Sequence, residues 1–112
     1  MGREKEKMLA GEFYDPHDAQ LVQERETARI LLWEYNQSKP QEKAKRQTIL
    51  KQLLHIQDSC LIEPPFYCDY GYNIHVGSNF YANFGCVILD VNQVVIGNNT
   101  LLGPHVQIYT AT

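Results

Sequence analysis

The sequence lacks the features that would direct it to a membrane, to nucleic acid or out of the cell. It has no apolar run near the ~18 residues that a membrane-spanning helix requires. It has no basic tract, and its formal net charge of −3 disfavours nucleic acid and anionic membranes as partners. The charged segment from Met1 to Lys7 leads into no apolar stretch and so does not resemble a signal peptide. We therefore expect a cytoplasmic protein.

Cysteine is scarce, and metal-binding spacings are missing. Cys60, Cys68 and Cys86 form no C-x-x-C motif, which indicates free thiols in a reducing compartment. The four histidines show no metal-ligand spacing, so we expect no bound metal. A zinc site built from His75, His105 and a second chain is an alternative, although surface or corner histidines are the simpler interpretation. We interpret Cys86 as a small core residue.

The last third of the chain repeats every six residues. Aliphatic or small residues occupy positions 76, 82, 88 and 94, and after a slip of two residues they occupy 96, 102 and 108. A period of six fits neither an α-helix nor a simple alternating strand. It fits a chain that turns a corner after each short strand and points one aliphatic side chain inward. The sequence therefore predicts a parallel β-helix with this inner column: Val76, Ala82, Ile88, Ile96, Leu102 and Ile108.

Glycine and asparagine mark the predicted corners of this coil. Gly77, Gly97, Gly103 and the Asn98-Asn99 pair tolerate positive φ, which tight corners often need. An antiparallel β domain with Gly and Asn turns is the alternative. Two consecutive aliphatic-Gly units, beginning at positions 96 and 102, favour the β-helix.

The first half of the chain has helical periodicity instead. We predict one short helix from near Glu4 to Gly11, one from Ala19 to Asn36, and one from about Pro40 to His55. Asp18 and Ser38 are the predicted N-caps of the second and third helices. The helices are short and charged, so we expect them to pack as a lid against the β-helix or a neighbouring subunit. The predicted division is a helical segment, 1–57, and an incomplete β-helix, 58–112.

Five longer motifs carry a resemblance to a known family. Together they resemble the maltose/galactoside O-acetyltransferases, and the resemblance covers essentially the whole chain. The motifs are Met8-Leu9-Ala10-Gly11-Glu12-Phe13-Tyr14-Asp15, Glu63-Pro64-Pro65-Phe66, Asp69-Tyr70-Gly71, Asn79-Phe80-Tyr81-Ala82-Asn83-Phe84 and Ile88-Leu89-Asp90. The resemblance implies a mainly β fold, a left-handed parallel β-helix with an N-terminal α-helical segment. It also implies a homotrimer that transfers the acetyl group of acetyl-CoA to a sugar hydroxyl, typically the 6-hydroxyl.

The same resemblance suggests site residues. Asn83 matches a family amide that contacts both the acceptor sugar and acetyl-CoA, and Asp15 matches a sugar-binding Asp. Asp69 stands where the maltose branch has an acid and the galactoside branch a Ser, which favours a glucose- or maltose-like acceptor. Asp90 matches a further acid, although Val91 replaces the second acid of the galactoside branch. The simpler interpretations are a corner Asn, a turn Asp and a solvated loop Asp for Asn83, Asp15 and Asp69.

The expected catalytic base is the main departure from the family pattern. In the family the general-base His directly follows a segment like Tyr109-Thr110-Ala111-Thr112, and this sequence ends at Thr112. His105 does not match that position, so we assign no catalytic residue within 1–112. A base that removes the proton of a sugar hydroxyl is worth about 10²–10⁴ in rate. We therefore expect this chain to be nearly inactive alone.

Two other functions stay open at this point. The chain could be a non-catalytic remnant that binds sugar or assembles with a full-length paralogue. It could also belong to another hexapeptide enzyme, such as a serine or chloramphenicol acetyltransferase. The N-terminal helices and the Glu63-Pro64-Pro65 motif argue against this last alternative.

Overall fold

Three helices and nine short strands make up the part of the chain that the computed structural model describes, residues 2–110. The helices are α1 (Arg3–Leu9), α2 (Ala19–Asn36) and α3 (Lys43–Leu53). The strands are β1 (His55–Ile56), β2 (Cys60–Ile62), β3 (Phe66–Cys68), β4 (Ile74–Val76), β5 (Phe80–Ala82), β6 (Cys86–Leu89), β7 (Val94–Ile96), β8 (Leu101–Leu102) and β9 (Gln107–Tyr109).

The strands form three parallel sheets, which are the three sides of a prism. Their orders are β1-β4-β7, β2-β5-β8 and β3-β6-β9, so each strand pairs with the strand three places along the chain. His55 pairs with His75 and Phe66 with Cys86, which sets one turn of the coil at 20 residues. The predicted parallel β-helix is confirmed, and the antiparallel alternative is wrong.

The slip in the six-residue period arises at one corner of the prism. Between the third and first sheets the chain uses residues 69–73 at one level and 90–93 at the next. The other corners of these two turns contain three residues each. We call residues 69–73 and 90–93 the long corner. Met8 of α1 and Leu21 of α2 pack there against Tyr70.

The predicted inner positions lie inside the prism. Four of the six are buried, namely Val76, Ala82, Ile88 and Ile96, and the two of the third turn, Leu102 and Ile108, are only partly buried. Cys86 is fully buried, as predicted for a small core residue, and burial raises the pKa of its thiol to about 11. Cys60 and Cys68 are also buried, and all three thiols are free.

The glycine corners are a correction to the sequence prediction. Of the residues predicted to tolerate positive φ, Asn99 adopts it, whereas Gly77, Gly97 and Gly103 do not. Asn79, Gly85 and His105, at other corner positions, also have positive φ. Gly77 is needed for a different reason. A Cβ there would overlap Asn98 Oδ1 and would lie 2.9 Å from the Asn98 backbone nitrogen, in the next turn. The missing side chain lets successive turns approach.

The second helix agrees with its prediction, and the third differs. The Asp18 carboxylate caps α2 by accepting hydrogen bonds from the Gln20 and Leu21 N–H groups. The third helix begins at Lys43 rather than near Pro40, and Ser38 does not cap it. The Ser38 hydroxyl instead donates to the Tyr35 carbonyl and accepts from Arg46 Nε. A contact between two helices thus replaces the local cap.

The helices close one end of the prism, as the lid prediction required. The Tyr35 hydroxyl donates to the Ile62 carbonyl, and the Asn36 amide both donates to and accepts from the Phe66 backbone. One hydrophobic cluster joins residues of α2 and α3, such as Leu50, to residues inside the coil, such as Ile88. Strand β1 already pairs with β4 ahead of the predicted boundary at 57/58. The division into 1–57 and 58–112 stays a prediction.

The sequence predicts no membrane-spanning helix, and the described helices can be compared with that prediction. Across residues 2–110, no helix combines the length and the apolar character that crossing a bilayer demands.

Candidate functional site

Asp90 organises the long corner from within. Its side chain is fully buried and its two carboxylate oxygens accept four backbone N–H groups from the preceding turn. The donors are Asp69 at 3.1 Å, Tyr70 at 2.9 Å, Gly71 at 2.8 Å and Asn73 at 3.2 Å. The carboxylate therefore fixes the 69–73 loop and does not face solvent.

The charge of Asp90 is set by two opposing effects. Burial raises the pKa of its carboxyl above the usual range, and the N–H donors lower it. Four donors directed at one carboxylate stabilise the ionised form. The Asn73 side-chain amide also donates to the Asp90 carbonyl, at 2.9 Å. The predicted sugar-contact role of Asp90 stays untested, but its oxygens in this structure serve the loop.

Asp69 is the half-buried carboxylate of the same loop. Burial raises the pKa of its carboxyl, and the positive charges of Arg25 and Arg29 oppose that rise. Among the hydrogen bonds of residues 2–110, none is accepted by the Asp69 side chain. Its oxygens are therefore available to an incoming donor, unlike those of Asp90.

Asp15 lies on the exposed loop between α1 and α2. Its backbone N–H donates to Glu4 Oε1 at 2.7 Å, and its Oδ1 accepts the His17 N–H at 2.9 Å. The His17 ring nitrogen Nδ1 lies 3.5 Å from the same oxygen. These contacts hold the Asp15 side chain in a turn and leave its second oxygen without a hydrogen bond inside the described part of the chain.

Arg25 of α2 joins the Asp15 loop to the long corner. Its Nη2 donates to the Pro16 carbonyl at 2.6 Å, and its Nη1 donates to the Tyr70 hydroxyl at 2.8 Å. Pro16 directly follows Asp15, and Tyr70 directly follows Asp69. Nothing in the sequence marks Arg25 as a site residue, because a single Arg on a charged helix carries no motif.

Further contacts fasten the N-terminal segment to the long corner. The Asn92 amide donates to the carbonyls of Met8, at 3.4 Å, and Leu9, at 3.1 Å. The Tyr72 hydroxyl donates to Glu24 of α2 at 2.8 Å. Beside these contacts runs a groove of about 540 Å³ between residues 8–14 and Val91, Asn92 and Thr110.

Asn83 lies at a different corner, between β5 and β6. Its Oδ1 accepts the Phe84 N–H at 2.8 Å, and Phe84 itself is exposed. Within residues 2–110, Asn83 shares no hydrogen bond with Asp15, Asp69 or Asp90. A single chain thus brings the three acids to one region and leaves the amide elsewhere.

Two larger grooves, like the one of about 540 Å³, are lined by none of the predicted site residues. One, of about 780 Å³, lies on the outer face of the first sheet beside the stacked rings of His55 and His75. The other, of about 700 Å³, lies between α3 and the second sheet beside Arg46 and Tyr81. His105 packs at a corner against Gly85. In the described stretch, residues 2–110, no group of three or more His, Cys, Asp or Glu side chains is arranged to hold a metal ion.

Comparison with known proteins extends these observations. A family model described as the maltose acetyltransferase hexapeptide capping motif matches residues 7–56. A maltose O-acetyltransferase from Clostridium difficile superposes with a TM-score of 0.93 at 48% identity, over 97% of this chain and 59% of that chain. A hexapeptide-repeat acetyltransferase from Vibrio cholerae, complexed with acetyl coenzyme A, gives 0.86 at 35% identity, again over 97% and 59%. The galactoside O-acetyltransferase of Escherichia coli is 38% identical over 102 residues, which are 90% of this chain and 50% of its own length.

The prism of parallel strands, closed by helices at one end, is the left-handed β-helix fold of the hexapeptide-repeat acetyltransferases. The capping motif and the sequence matches make the chain similar, over nearly all of its own length, to the maltose/galactoside O-acetyltransferases. The chain spans roughly half to three fifths of the length of the curated relatives that it matches.

Proposed function

We propose that this chain carries the acceptor side of a sugar O-acetyltransferase that moves the acetyl group of acetyl-CoA to a hydroxyl of a glucose- or maltose-like sugar. The observation that carries the proposal is the long corner. Asp15 and Asp69 each have a carboxylate oxygen that accepts no hydrogen bond within residues 2–110, and one guanidinium joins their loops. A groove of about 540 Å³ lies beside the long corner, between residues 8–14 and Val91, Asn92 and Thr110, although neither acid lines it. Carboxylate oxygens are suited to accept hydrogen bonds from the hydroxyls of a sugar.

The proposed roles follow from what the reaction needs. Asp15 and Asp69 hold neighbouring hydroxyls so that one sugar oxygen faces the thioester, because orientation supplies much of the rate of a two-substrate reaction. Asp90 acts beneath them by fixing the 69–73 loop. The name of the Vibrio cholerae relative, solved with acetyl coenzyme A, supports the choice of acetyl donor.

The register of the coil supports the expected position of the base. Tyr109 pairs with Leu89, and the Thr110 hydroxyl accepts the Asn92 N–H, so the last described residue lies at the long corner. The family resemblance expects the general-base His a few residues later, directly after Thr112. Ala111 and Thr112 themselves lie outside the described residues.

The position of Asn83 favours a site shared between copies of the chain. Its amide belongs to another corner, so a site that contains Asn83 and both acids needs a second subunit. We propose a homotrimer in which Asn83 of one subunit meets the long corner of the next and contacts both sugar and acetyl-CoA. The exposed Phe84 beside Asn83 supplies apolar surface for such a contact.

Two proteins test the proposal: residues 1–112, and the same residues prolonged by the C-terminal coils of the Clostridium difficile relative. Release of free thiol from acetyl-CoA is measured with maltose, glucose and a β-galactoside as acceptors. We expect the prolonged protein to prefer maltose or glucose. We expect residues 1–112 alone to be slower by about 10²–10⁴, because the proposed position of the base lies after Thr112.

Each contrary result has a distinct meaning. Equal rates for the two proteins would show that the base lies within 1–112. Failure of the prolonged protein on every sugar would reject the acetyltransferase proposal. Maltose binding to that inactive protein, measured by calorimetry, would then favour the sugar-binding remnant.

A further inference from the structure

We infer that Arg25 is a positioning residue for the acceptor site, because its guanidinium holds the Asp15 loop and the Asp69 loop in one arrangement. The inference rests on the function proposed above and extends it. Arg25 does not itself contact the sugar in this assignment. It acts through the two carboxylates on either side of it.

The geometry of the guanidinium supports this role. Its two terminal nitrogens donate in different directions, Nη2 to the Pro16 carbonyl at 2.6 Å and Nη1 to the Tyr70 hydroxyl at 2.8 Å. The planar fork of an Arg holds both donors in a fixed relation, which a single Lys ammonium cannot reproduce. Both terminal nitrogens already donate hydrogen bonds within the chain. We therefore assign the guanidinium to holding the two loops and not to binding a sugar hydroxyl.

The two bonded groups are immediate neighbours of the proposed sugar ligands. Pro16 follows Asp15 on the loop between α1 and α2, and Tyr70 follows Asp69 on the long corner. No hydrogen bond within residues 2–110 joins the two loops directly, and Arg25 is the described side chain that donates to both. Asn92 and Tyr72 fasten α1 and α2 to the long corner, but their hydrogen bonds do not reach the Asp15 loop. We therefore expect the separation of the two carboxylates, and with it a two-point grip on one sugar, to depend on Arg25.

A charge effect accompanies the mechanical one. Burial raises the pKa of the Asp69 carboxyl, and two positive charges lower it. The effect of Arg25 is the larger of the two, and that of Arg29 is the smaller. Arg29 lies one helical turn further along α2 and makes no hydrogen bond to either loop in the described residues. Substitution of Arg29 therefore removes a positive charge near Asp69 and leaves the two hydrogen bonds of Arg25 intact. This distinguishes the effect of the charge from the effect of the bridge.

The test compares Arg25→Met, Arg25→Lys and Arg29→Met in the prolonged protein. For Arg25→Met we expect the KM for maltose to rise about tenfold or more, because charge-assisted hydrogen bonds are lost. Arg25→Lys can retain one of the two hydrogen bonds, so its KM for maltose should lie between those of Arg25→Met and the parent. We expect Arg29→Met to stay within about twofold of the parent, as screened surface charges contribute little. The KM for acetyl-CoA and the slow hydrolysis of acetyl-CoA by water should be unchanged in all three.

Several results would overturn the inference. An equal rise in the maltose KM for Arg29→Met would assign the effect to charge and not to the bridge. An equal rise in the acetyl-CoA KM for Arg25→Met, with a matching fall in Tm, would reduce Arg25 to general structural support. If the parent acetylates maltose and the Arg25→Met variant has the same KM for maltose, the role of Arg25 is rejected and the proposed function stands. A parent that acetylates no sugar would reject the proposed function instead.

Discussion

At the scale of single residues, the two neighbouring acids of the long corner have different environments and different consequences. Asp90 is fully buried and meets four N–H donors, which favour its ionised form although burial raises the pKa of the carboxyl. Asp69 is half-buried and accepts no hydrogen bond within residues 2–110. A carboxylate held partly out of water without donors opposes folding, and a ligand hydroxyl would relieve that cost. Such an unsatisfied group is typical of a binding site.

The first prediction concerns Asp69 and pH. Burial raises the pKa of its carboxyl in the folded chain above the unfolded value of ~3.9. The folded state therefore binds more protons between these two values, and stability falls as pH rises through that window. The loss persists at neutral pH, where Asp69 is ionised in both states. We expect Asp69→Asn to be more stable than the parent at pH 7, and the difference to disappear below the unfolded pKa.

Urea unfolding of the 112-residue chain at several pH values measures this difference. The matched control is Asp58→Asn at an exposed position, where the side chain accepts one hydrogen bond from Ser78. A stabilisation of Asp69→Asn that is the same at every pH would contradict the linkage. A variant less stable than the parent at pH 7 would show that Asp69 has a donor in solution.

At the scale of elements, the spacing between successive turns is set by backbone contact at the corners. Gly77 and Gly97 occupy equivalent positions one turn apart, since Val76 pairs with Ile96. The Gly77 N–H donates to the Ile96 carbonyl at 2.8 Å, and Asn98 Oδ1 accepts the Ser78 N–H at 2.7 Å. A side chain at position 77 would have to displace this pair of contacts. The glycine therefore serves close approach and not a special turn conformation.

The second prediction uses these two glycines as a matched pair. We expect Gly77→Ala to lower the free energy of unfolding by about 1–3 kcal/mol, because the added methyl group overlaps Asn98 and overpacking costs that much. We expect Gly97→Ala to be close to neutral in the same chain, because a Cβ there meets no described atom within 4 Å. Urea unfolding of both variants measures the difference. Equal costs for the two would reject turn spacing as the cause.

At the scale of the whole molecule, the helical cap and the coil share one hydrophobic core. Leu50 of α3 is fully buried in the same cluster as Ile62, Phe66 and Ile88 of the coil. Most buried apolar residues of α2 and α3 pack in this shared cluster, so the two helices depend on the open end of the prism for burial. Cap and coil are therefore expected to unfold together rather than as separate units.

The third prediction tests this shared core by amide hydrogen exchange. We expect Leu50→Ala to lower the free energy of unfolding by about 2–5 kcal/mol, the usual cost of a buried Leu cavity. The loss should be equal for protected amides of α2 and for those of β5 and β6. Leu101→Ala is the control, because that side chain is 73% exposed. Lost protection confined to the helices would show that the coil is stable without its cap.

The sequence by itself determined the features that depend on neighbours in the chain. The inner column, the helix from Ala19 to Asn36 and its Asp18 cap all follow from local periodicity and local hydrogen bonding. Only the tertiary structure decided the burial of Asp90, the role of Gly77 and the bridge made by Arg25. Each of these depends on residues about 20 to 45 positions apart, which only the winding of the coil and the docking of α2 bring together. The winding of the coil also places Asp15 and Asp69 in one region and Asn83 at another corner. Distance along the chain does not predict this, because Asn83 is closer in sequence to Asp69 than Asp15 is.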